Sequence, residues 1–454
     1  MSKATTQRVD LISVLEVIDR HLTSALCEAT WEAVRISERQ RKWTLELLLR
    51  FWIEVTVQAP RSLRDALTWA TGQPGARFSG PEATPEAFFA RSQSLRYAFF
   101  DDAFRRFLEA ATRDLPARFC RELHGLLKRF PSIIALDGSG LDPVARRLKA
   151  LHKDRRVPLP GALLAAYDLC RGVPAAVDFD PNVYTAEINR AKAVLSRLPS
   201  ESLIVADRLY GVPAFFAALS AHELFGVCRL FGPVSLANKV LLGRHVTDEG
   251  VVEDYEVLAG TPHDPAARCQ LRLIVLKVRG RVKLQVLTNV LDRSRLSAPE
   301  ALKAYRARWS IERMFSDLKE VLNLSRFYAA NINAVGMQVF SAAIMYTGLR
   351  VAQSAIAAQA KIEPEEISTK KLFPKVAAAA QALAAAQYTL IEVQELNRGV
   401  VLKLPTLREM PFAFLLLSSI LREVRSEKRT TRRRCPARGM WRAMPGIRRR
   451  KRRS

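Results

Sequence analysis

Tyr305, Arg308, Glu312 and Lys319 lie in a stretch of helical pattern, at offsets of three, seven and fourteen from the tyrosine. At about 100° per residue, those offsets send all four side chains out within an arc of about 60°. One carboxylate is thereby set among two cations and a phenol. Ile311, Met314, Phe315, Leu318 and Leu322 occupy a neighbouring arc, so the polar stripe runs along the rim of a buried face, where the wall of an active site would lie. The same spacing also describes an i,i+4 ion pair between Arg308 and Glu312 on a solvated helix, with the other two as bystanders.

Two further carboxylates bear on that choice. Asp137 closes the apolar run Ser132-Ile133-Ile134-Ala135-Leu136 and precedes Gly138-Ser139-Gly140, while Asp207 closes Leu203-Ile204-Val205-Ala206 and precedes Arg208-Leu209-Tyr210-Gly211. Both runs read as short buried strands. A carboxylate at the end of a buried strand needs a partner, because taking it out of water unpaired costs on the order of several kcal/mol. A metal ion would serve, and open α/β sheets place ligands beyond the carboxyl ends of their strands. Either aspartate on its own also fits a cap or a turn.

Strand-Asp, strand-Asp and helix-Glu, the last within Tyr305-x2-Arg308-x3-Glu312-x6-Lys319, resembles the DDE transposases of insertion sequences, and more narrowly the insertion sequence 4 family. The resemblance covers Phe130 to Asn331. It implies a mixed α/β fold in which an RNase H-like catalytic domain is interrupted by a β-rich insertion, with a helical N-terminal domain and a helical C-terminal region. It implies that Asp137, Asp207 and Glu312 are catalytic carboxylates that hold metal, within about 8 Å of one another. Tyr305, Arg308 and Lys319 would then grip DNA phosphates near the cleaved strand end, as a neutral donor, a fixed fork and a mobile point charge.

Carboxylates without Cys or His partners favour Mg2+ or Mn2+. Two such ions about 4 Å apart, bridged by Asp137 and completed by Asp207 and Glu312, would activate the attacking oxygen and stabilise the leaving one. The implied partners are double-stranded DNA, as transposon ends and target, and a second copy of the chain in a synaptic complex. One departure matters: some relatives hold a flipped base with a tryptophan in the insertion, and no Trp lies between Trp69 and Trp309, so base flipping is not carried over.

Composition agrees with a DNA-handling protein. The 454 residues carry 71 Lys+Arg against 45 Asp+Glu, a formal net charge of +26, which favours a polyanionic partner. Half of the excess falls in residues 422–454, where fifteen basic residues face two acidic ones. The body is therefore basic in its own right. Such a tail has too few apolar residues for its charge and is expected to lack fixed structure without DNA.

The six cysteines form no C-x-x-C pair, so neither a zinc site nor a disulfide framework is indicated. Asp137-Gly138-Ser139-Gly140 is not G-x-S-x-G, and the six histidines show no motif that nominates a base, which sets a serine hydrolase aside. No Walker-type phosphate loop appears. The polar start lacks the apolar region of a signal peptide. Met337 to Ile356 is the most membrane-like stretch, but Gln338, Arg350 and Gln353 make it read as a buried helix. A cytoplasmic, nucleoid-associated bacterial protein with no membrane partner is expected.

Seven parts are expected along the chain. Residues 1–72 form a helical region, patterned by Leu11, Ile12, Leu15, Ile18 and Leu22 and by Trp43, Leu47 and Phe51. There Arg35, Arg39, Arg41, Lys42 and Arg50 suit either a reader of DNA ends or a solvated basic face. A Gly/Pro-rich linker and helices follow in 73–129, the first part of the catalytic core in 130–231, and the β-rich insertion in 232–290. The motif helix lies in 291–331, a helical region in 332–421 and the basic tail in 422–454. Within the core, Gly161 to Leu169 and Val173 to Phe179 pair around Arg171-Gly172; a helix at Thr185–Leu198, the Asp207 strand, a helix at Pro213–His222 and a strand at Phe225–Leu230 come next. The insertion ends in a hairpin around Arg279-Gly280-Arg281. Two other functions fit the same residues: an RNase H-like nuclease that cuts without joining, and a DNA-binding relative whose site has decayed.

Overall fold

The computed structural model describes residues 12–72, 80–81, 83–113, 115–141, 161–182, 185–261, 264–324, 326–329 and 331–378. All fall within one compact unit, Leu11–Leu402. The basic tail, much of the Gly/Pro-rich linker and the end of the C-terminal helical region lie outside the described residues.

Among the described residues, nine strands form one sheet in the order β3-β2-β1-β4-β5-β9-β8-β7-β6. They are β1 (Ile133–Leu141), β2 (Gly161–Asp168), β3 (Val173–Asp180), β4 (Leu203–Ala206), β5 (Phe225–Arg229), β6 (Ser235–Thr247), β7 (Gly250–Thr261), β8 (Asp264–Val278) and β9 (Arg281–Thr288). β1, β4 and β5 run parallel, and β2 and β3 continue the sheet antiparallel from β1. That 3-2-1-4-5 arrangement, with a helix between β3 and β4 and another between β4 and β5, is RNase H-like. All four residues of β4 are buried, as a strand with parallel neighbours and both faces covered requires.

β6 to β9 are the expected β-rich insertion. They extend the sheet of β1 to β5 instead of forming a separate one, because β9 pairs antiparallel with β5 through Val227, Cys228 and Arg229. The β8–β9 turn is Arg279-Gly280, with φ of 49° and 75°; two positive values in a row are what a two-residue hairpin of right-handed strands needs.

Among the described residues, six α-helices precede the sheet: α1 (Ile12–His21), α2 (Ser24–Val34), α3 (Leu45–Gln58), α4 (Leu63–Gly72), α5 (Pro85–Ser94) and α6 (Ala98–Ala111). Between β3 and β4 lies α7 (Glu187–Leu195), and between β4 and β5 lies α8 (Pro213–Ala221). Ala191, Val194, Leu195, Phe215, Phe216 and Leu219 of these two pack on Ile134, Leu136, Ile204 and Ala206 of the sheet. After β9 come α9 (Ala298–Ala307), α10 (Trp309–Ser316) and α11 (Ile332–Ala360).

The sheet and the N-terminal helices meet on α11, which contacts α1, α3, α6 and β3. Among the described residues it is the one helix long and apolar enough to cross a membrane, and 89% of its most apolar window is buried inside the protein. Arg350 shows why it suits a protein interior: its guanidinium donates to Gly172 O at 2.7 Å, Gln353 Oε1 at 2.9 Å and Tyr167 Oη at 3.1 Å. A buried cation satisfied in this way ties the helix to the β2–β3 turn.

The N-terminal apolar pattern is buried at Ile18, Leu22, Trp43 and Phe51, and Leu47 departs from it. Trp43 and Phe51 are buried against Phe88, but Leu47 is half-buried and Leu48, Trp52 and Val55 complete the packing. Of the basic residues noted above, Arg35, Arg39, Arg41 and Lys42 are exposed. Arg50 is committed internally, to Glu46 at 3.0 Å, Asp19 at 3.2 Å and Leu22 O at 3.2 Å, which fastens α3 to α1.

Glu38, in the α2–α3 connection, accepts from Arg96 Nε at 2.5 Å and from the Ile36 N–H at 2.8 Å. The Arg96 bond holds its carboxyl down to about 2 from an ordinary 4.5. A carboxyl lowered on folding adds stability above its unfolded value and loses it as pH falls through the folded one. Wild type is therefore expected to melt higher than Glu38→Gln at pH 6, with the gap closing as pH falls from 4.5 to about 2. A gap independent of pH in thermal denaturation would show that the pair adds nothing through ionisation.

Candidate active site

β1 and β4 run parallel with Leu136 opposite Ala206, so the residues that follow, Asp137 and Asp207, fall side by side at the carboxyl end of β4; Asp207 lies just beyond its strand, whereas β1 does not end at Asp137 as expected but runs on to Leu141, paired with β2. Adjacent strands lie about 4.8 Å apart. Each aspartate also makes the local bond expected of a turn residue. Asp137 Oδ1 accepts from the Gly138 N–H at 2.9 Å, and Asp207 Oδ1 accepts from the Leu209 N–H at 2.7 Å, capping the short helical turn Arg208–Tyr210. The cap and the site position are therefore compatible.

The motif residues do not lie on one continuous helix. Ser297 and Glu300 form a capping box that starts α9, with Pro299 in the first turn. Arg308 then joins α9 to α10 with helical torsions but with tightened bonds: its N–H donates to Tyr305 O at 3.2 Å, and the Ile311 N–H donates to Arg308 O at 3.0 Å. Beyond α10, Asp317–Val321 is a π turn closed by Leu322 N–H on Asp317 O at 3.0 Å. A tightened turn over-rotates the chain and a widened one under-rotates it. The two offset each other, and Arg308 and Lys319 still reach the same strand.

Arg308 is the hub. Its Nη1 lies 3.1 Å from Asp137 Oδ2 and its Nη2 lies 3.1 Å from Glu312 Oε1. Lys319 Nζ donates to Ser139 Oγ at 2.7 Å and Gly140 O at 3.0 Å. Asp137 and Ser139 are two apart on β1 and so share a face, which is the face the motif covers. Tyr305 is buried, with the Arg308 guanidinium 5.9 Å from its ring centre, and burial raises its phenol so that it stays a neutral donor. Arg308 Nε is buried and finds no acceptor among the described residues.

The structure thus brings Asp137, Glu312 and Arg308 into direct contact, sets Asp207 one strand over, and brings Lys319 to β1 beside them. It does not draw the three carboxylates into a ligating cluster: among the described residues, no three or more His, Cys, Asp or Glu side chains stand ready to hold a metal ion. The Arg308 guanidinium lies between Asp137 and Glu312 and serves there as their cation. The donor set nevertheless fits a hard divalent ion, being all carboxylate oxygen. Asp137 shows the cost of burying a carboxylate. Its carboxyl is pushed up to about 6, by burial first and then by the charges of Asp207 and Glu187, against the pull of Arg308 and of the Gly138 N–H.

One neighbour carries no sequence signal. Glu187, in the first turn of α7, accepts from Tyr210 Oη at 2.6 Å. An acid opening a helix looks like any other helix start. A separate cavity of about 400 Å³, lined by Phe119, Tyr167, Arg313, Tyr346 and Arg350 among others, includes none of the six motif and aspartate residues.

Comparison with known proteins finds a matching domain and two relatives. Residues 128–347 match the family described as Transposase DDE domain, and the span includes all six site residues. The chain is 31% identical over 192 residues to a protein named putative transposase y4zB from Sinorhizobium fredii (strain NBRC 101917 / NGR234), which covers 41% of this chain and 51% of that protein. It is 29% identical over 153 residues to a protein named probable transposase for insertion sequence element IS5377 from Geobacillus stearothermophilus, covering 33% of this chain and 39% of that one. The chain spans about half the length of the first of these relatives and less of the second. A cryo-EM structure of a piggyBac transposase synaptic complex with hairpin DNA overlaps 89% of this chain and 87% of its own, at 11% identity and a TM-score of 0.38, too loose a likeness to argue from. The matched segment and the two relatives support the broader resemblance, to DDE transposases of insertion sequences.

Proposed function

We propose that this protein is a DNA transposase that binds the ends of an insertion sequence, cuts there and joins the 3′ hydroxyls to target DNA, with the narrower likeness to the insertion sequence 4 family resting on the Tyr305, Arg308, Glu312, Lys319 spacing. The observation that carries this reading is the Arg308 bridge between Asp137 and Glu312, beside Asp207, inside the segment that matches a transposase domain.

Asp137, Asp207 and Glu312 would hold Mg2+ or Mn2+, which when bound supplies Lewis-acid activation of a hydroxyl and charge stabilisation of the leaving oxygen. The remaining chemistry belongs to the chain. Arg308 is a rigid fork with one buried donor to spare, suited to a phosphate oxygen that arrives between the carboxylates. Lys319 sits at the far end of the same β1 face and would meet a neighbouring phosphate. Tyr305, neutral and buried beside Arg308, orients the guanidinium and offers a hydroxyl without adding charge. Double-stranded DNA is the proposed partner, and a second copy of the chain would hold the other end of the element.

Flanking DNA of the element supplies the substrate for a test. Oligonucleotide duplexes carrying its terminal repeats are expected to be nicked to 3′ hydroxyls and joined to a second duplex with Mg2+ or Mn2+, and neither product should form in EDTA. Nicking without joining would favour a plain nuclease. Repeat binding without cleavage in any divalent ion would favour an inactive DNA-binding relative.

A further inference from the structure

Arg229 stands in the same row of the sheet as the two aspartates. Leu136 pairs with Ala206, and Ala206 with Cys228, on three parallel strands, so Asp137, Asp207 and Arg229 come next, side by side; Asp207 keeps an extended backbone just past β4. Leu136, Ala206 and Cys228 all belong to the core packed beneath α7 and α8. Side chains alternate along a strand, so the row that follows projects from the other face, where α9 and α10 carry the motif. There α9 contacts both β4 and β5, and the Tyr305 phenol feels the charge of Arg229 as well as that of Arg308. The Arg229 backbone is fixed on two sides. Val286 of β9 pairs with it, and the turn capped by Asp207 lies so close that a Cβ built on Gly211 would stand 1.9 Å from the Arg229 carbonyl oxygen, an approach only glycine allows. Its side chain, by contrast, is exposed and makes no hydrogen bond or ion pair among the described residues.

We propose that Arg229 is a further phosphate-binding residue of the site, taking the DNA strand on the β5 side of Asp207, two strands away from the β1 residues that Lys319 meets. This rests on the transposase reading, which supplies the DNA. An arginine at a strand end is also an ordinary solvated charge, but a solvated charge calls for neither a place in register with both aspartates nor a turn pressed against its peptide. Arginine suits the task because its fork meets two phosphate oxygens at once. Arg308 must share its guanidinium with Asp137 and Glu312, whereas Arg229 gives up no partner among the described residues to receive a phosphate.

The test is binding of terminal-repeat duplexes by full-length protein without divalent ion, followed by fluorescence anisotropy over a range of salt. Arg229→Ala is expected to bind about tenfold more weakly, as the loss of a charged hydrogen bond would produce, and to flatten the slope of log affinity against log salt by about 0.9, one phosphate contact. Its melting temperature should match that of wild type, because an exposed side chain without partners is removed. Arg229→Lys keeps the charge and should restore the slope, and Arg229→Gln serves if the alanine variant does not fold. Methylphosphonate linkages placed in turn beside the cut locate the contact: one of them should weaken wild type about as much as Arg229→Ala does, and cost the variant nothing more. Arg229→Ala with the wild-type slope, or one that every uncharged linkage weakens as much as it weakens wild type, would overturn the proposal while leaving the transposase reading to stand on nicking and joining. Wild-type protein that binds the repeats no better than an unrelated duplex would remove both.

Discussion

Glu312→Ala is expected to lower nicking and joining of transposon ends together, by about 10²- to 10³-fold or more, the range seen when one group stabilising developing charge is removed. End binding should stay within about twofold, because Glu312 is a single carboxylate on the rim of α10 and contributes no attraction to phosphate. Lys319→Ala is expected to behave differently. Its Nζ touches Ser139 and Gly140 but none of the acids, so its loss should spare the carboxylates and cost joining more than first-strand nicking, since bound ends must be positioned twice in the full reaction. Arg308→Ala lies between the two: it removes a phosphate grip and also the cation shared by Asp137 and Glu312, so both steps should suffer. Single-turnover assays on labelled ends separate these outcomes. Glu312→Ala that nicks at the wild-type rate, or Lys319→Ala that loses nicking and joining equally, would sink the assigned roles.

The second large effect concerns stability. Asp254 on β7 and Arg272 on β8 are both fully buried and face each other twice, at 2.6 Å and 3.2 Å. The other end of the Arg272 guanidinium donates to Val290 O at 2.9 Å and Leu296 O at 2.8 Å. That second pair of bonds fastens the extended strands to the segment leading into α9, and so to Tyr305 and Arg308. Arg272→Leu leaves Asp254 buried with only the more distant Arg293 at 3.5 Å, and is expected to cost about 3–5 kcal/mol. The double variant with Asp254→Leu should recover much of the loss, because replacing both charges by apolar groups is far less harmful than orphaning one. Denaturant midpoints with constant slope measure both. A single-variant loss under about 1 kcal/mol, on the scale of an exposed pair, would show that solvent reaches the pair.

Local pattern determined the strands, helices and candidate chemistry. The runs Ile133–Leu136 and Leu203–Ala206 are apolar because both faces of the sheet are covered there, and each is followed by an aspartate that can be read off the sequence, although β1 continues past Asp137 to Leu141. The Arg279-Gly280 turn and the spacing of Tyr305, Arg308, Glu312 and Lys319 were likewise legible, because turn torsions and helical period are set by near neighbours in the chain. Only the tertiary structure decided what stands beside what. The pairing of β9 with β5, which makes the insertion part of the same sheet as β1 and β4, and the wrapping of α1, α3 and α6 on α11 depend on contacts between distant segments that leave no periodic trace. The same holds for the site. Sequence could place Arg308 four residues from Glu312, but that it also reaches Asp137, 171 positions away, follows from the packing of α10 on β1. Glu187 escaped notice for that reason: an acid at a helix start is ordinary, and only folding brings Gly138 and Tyr210 against it.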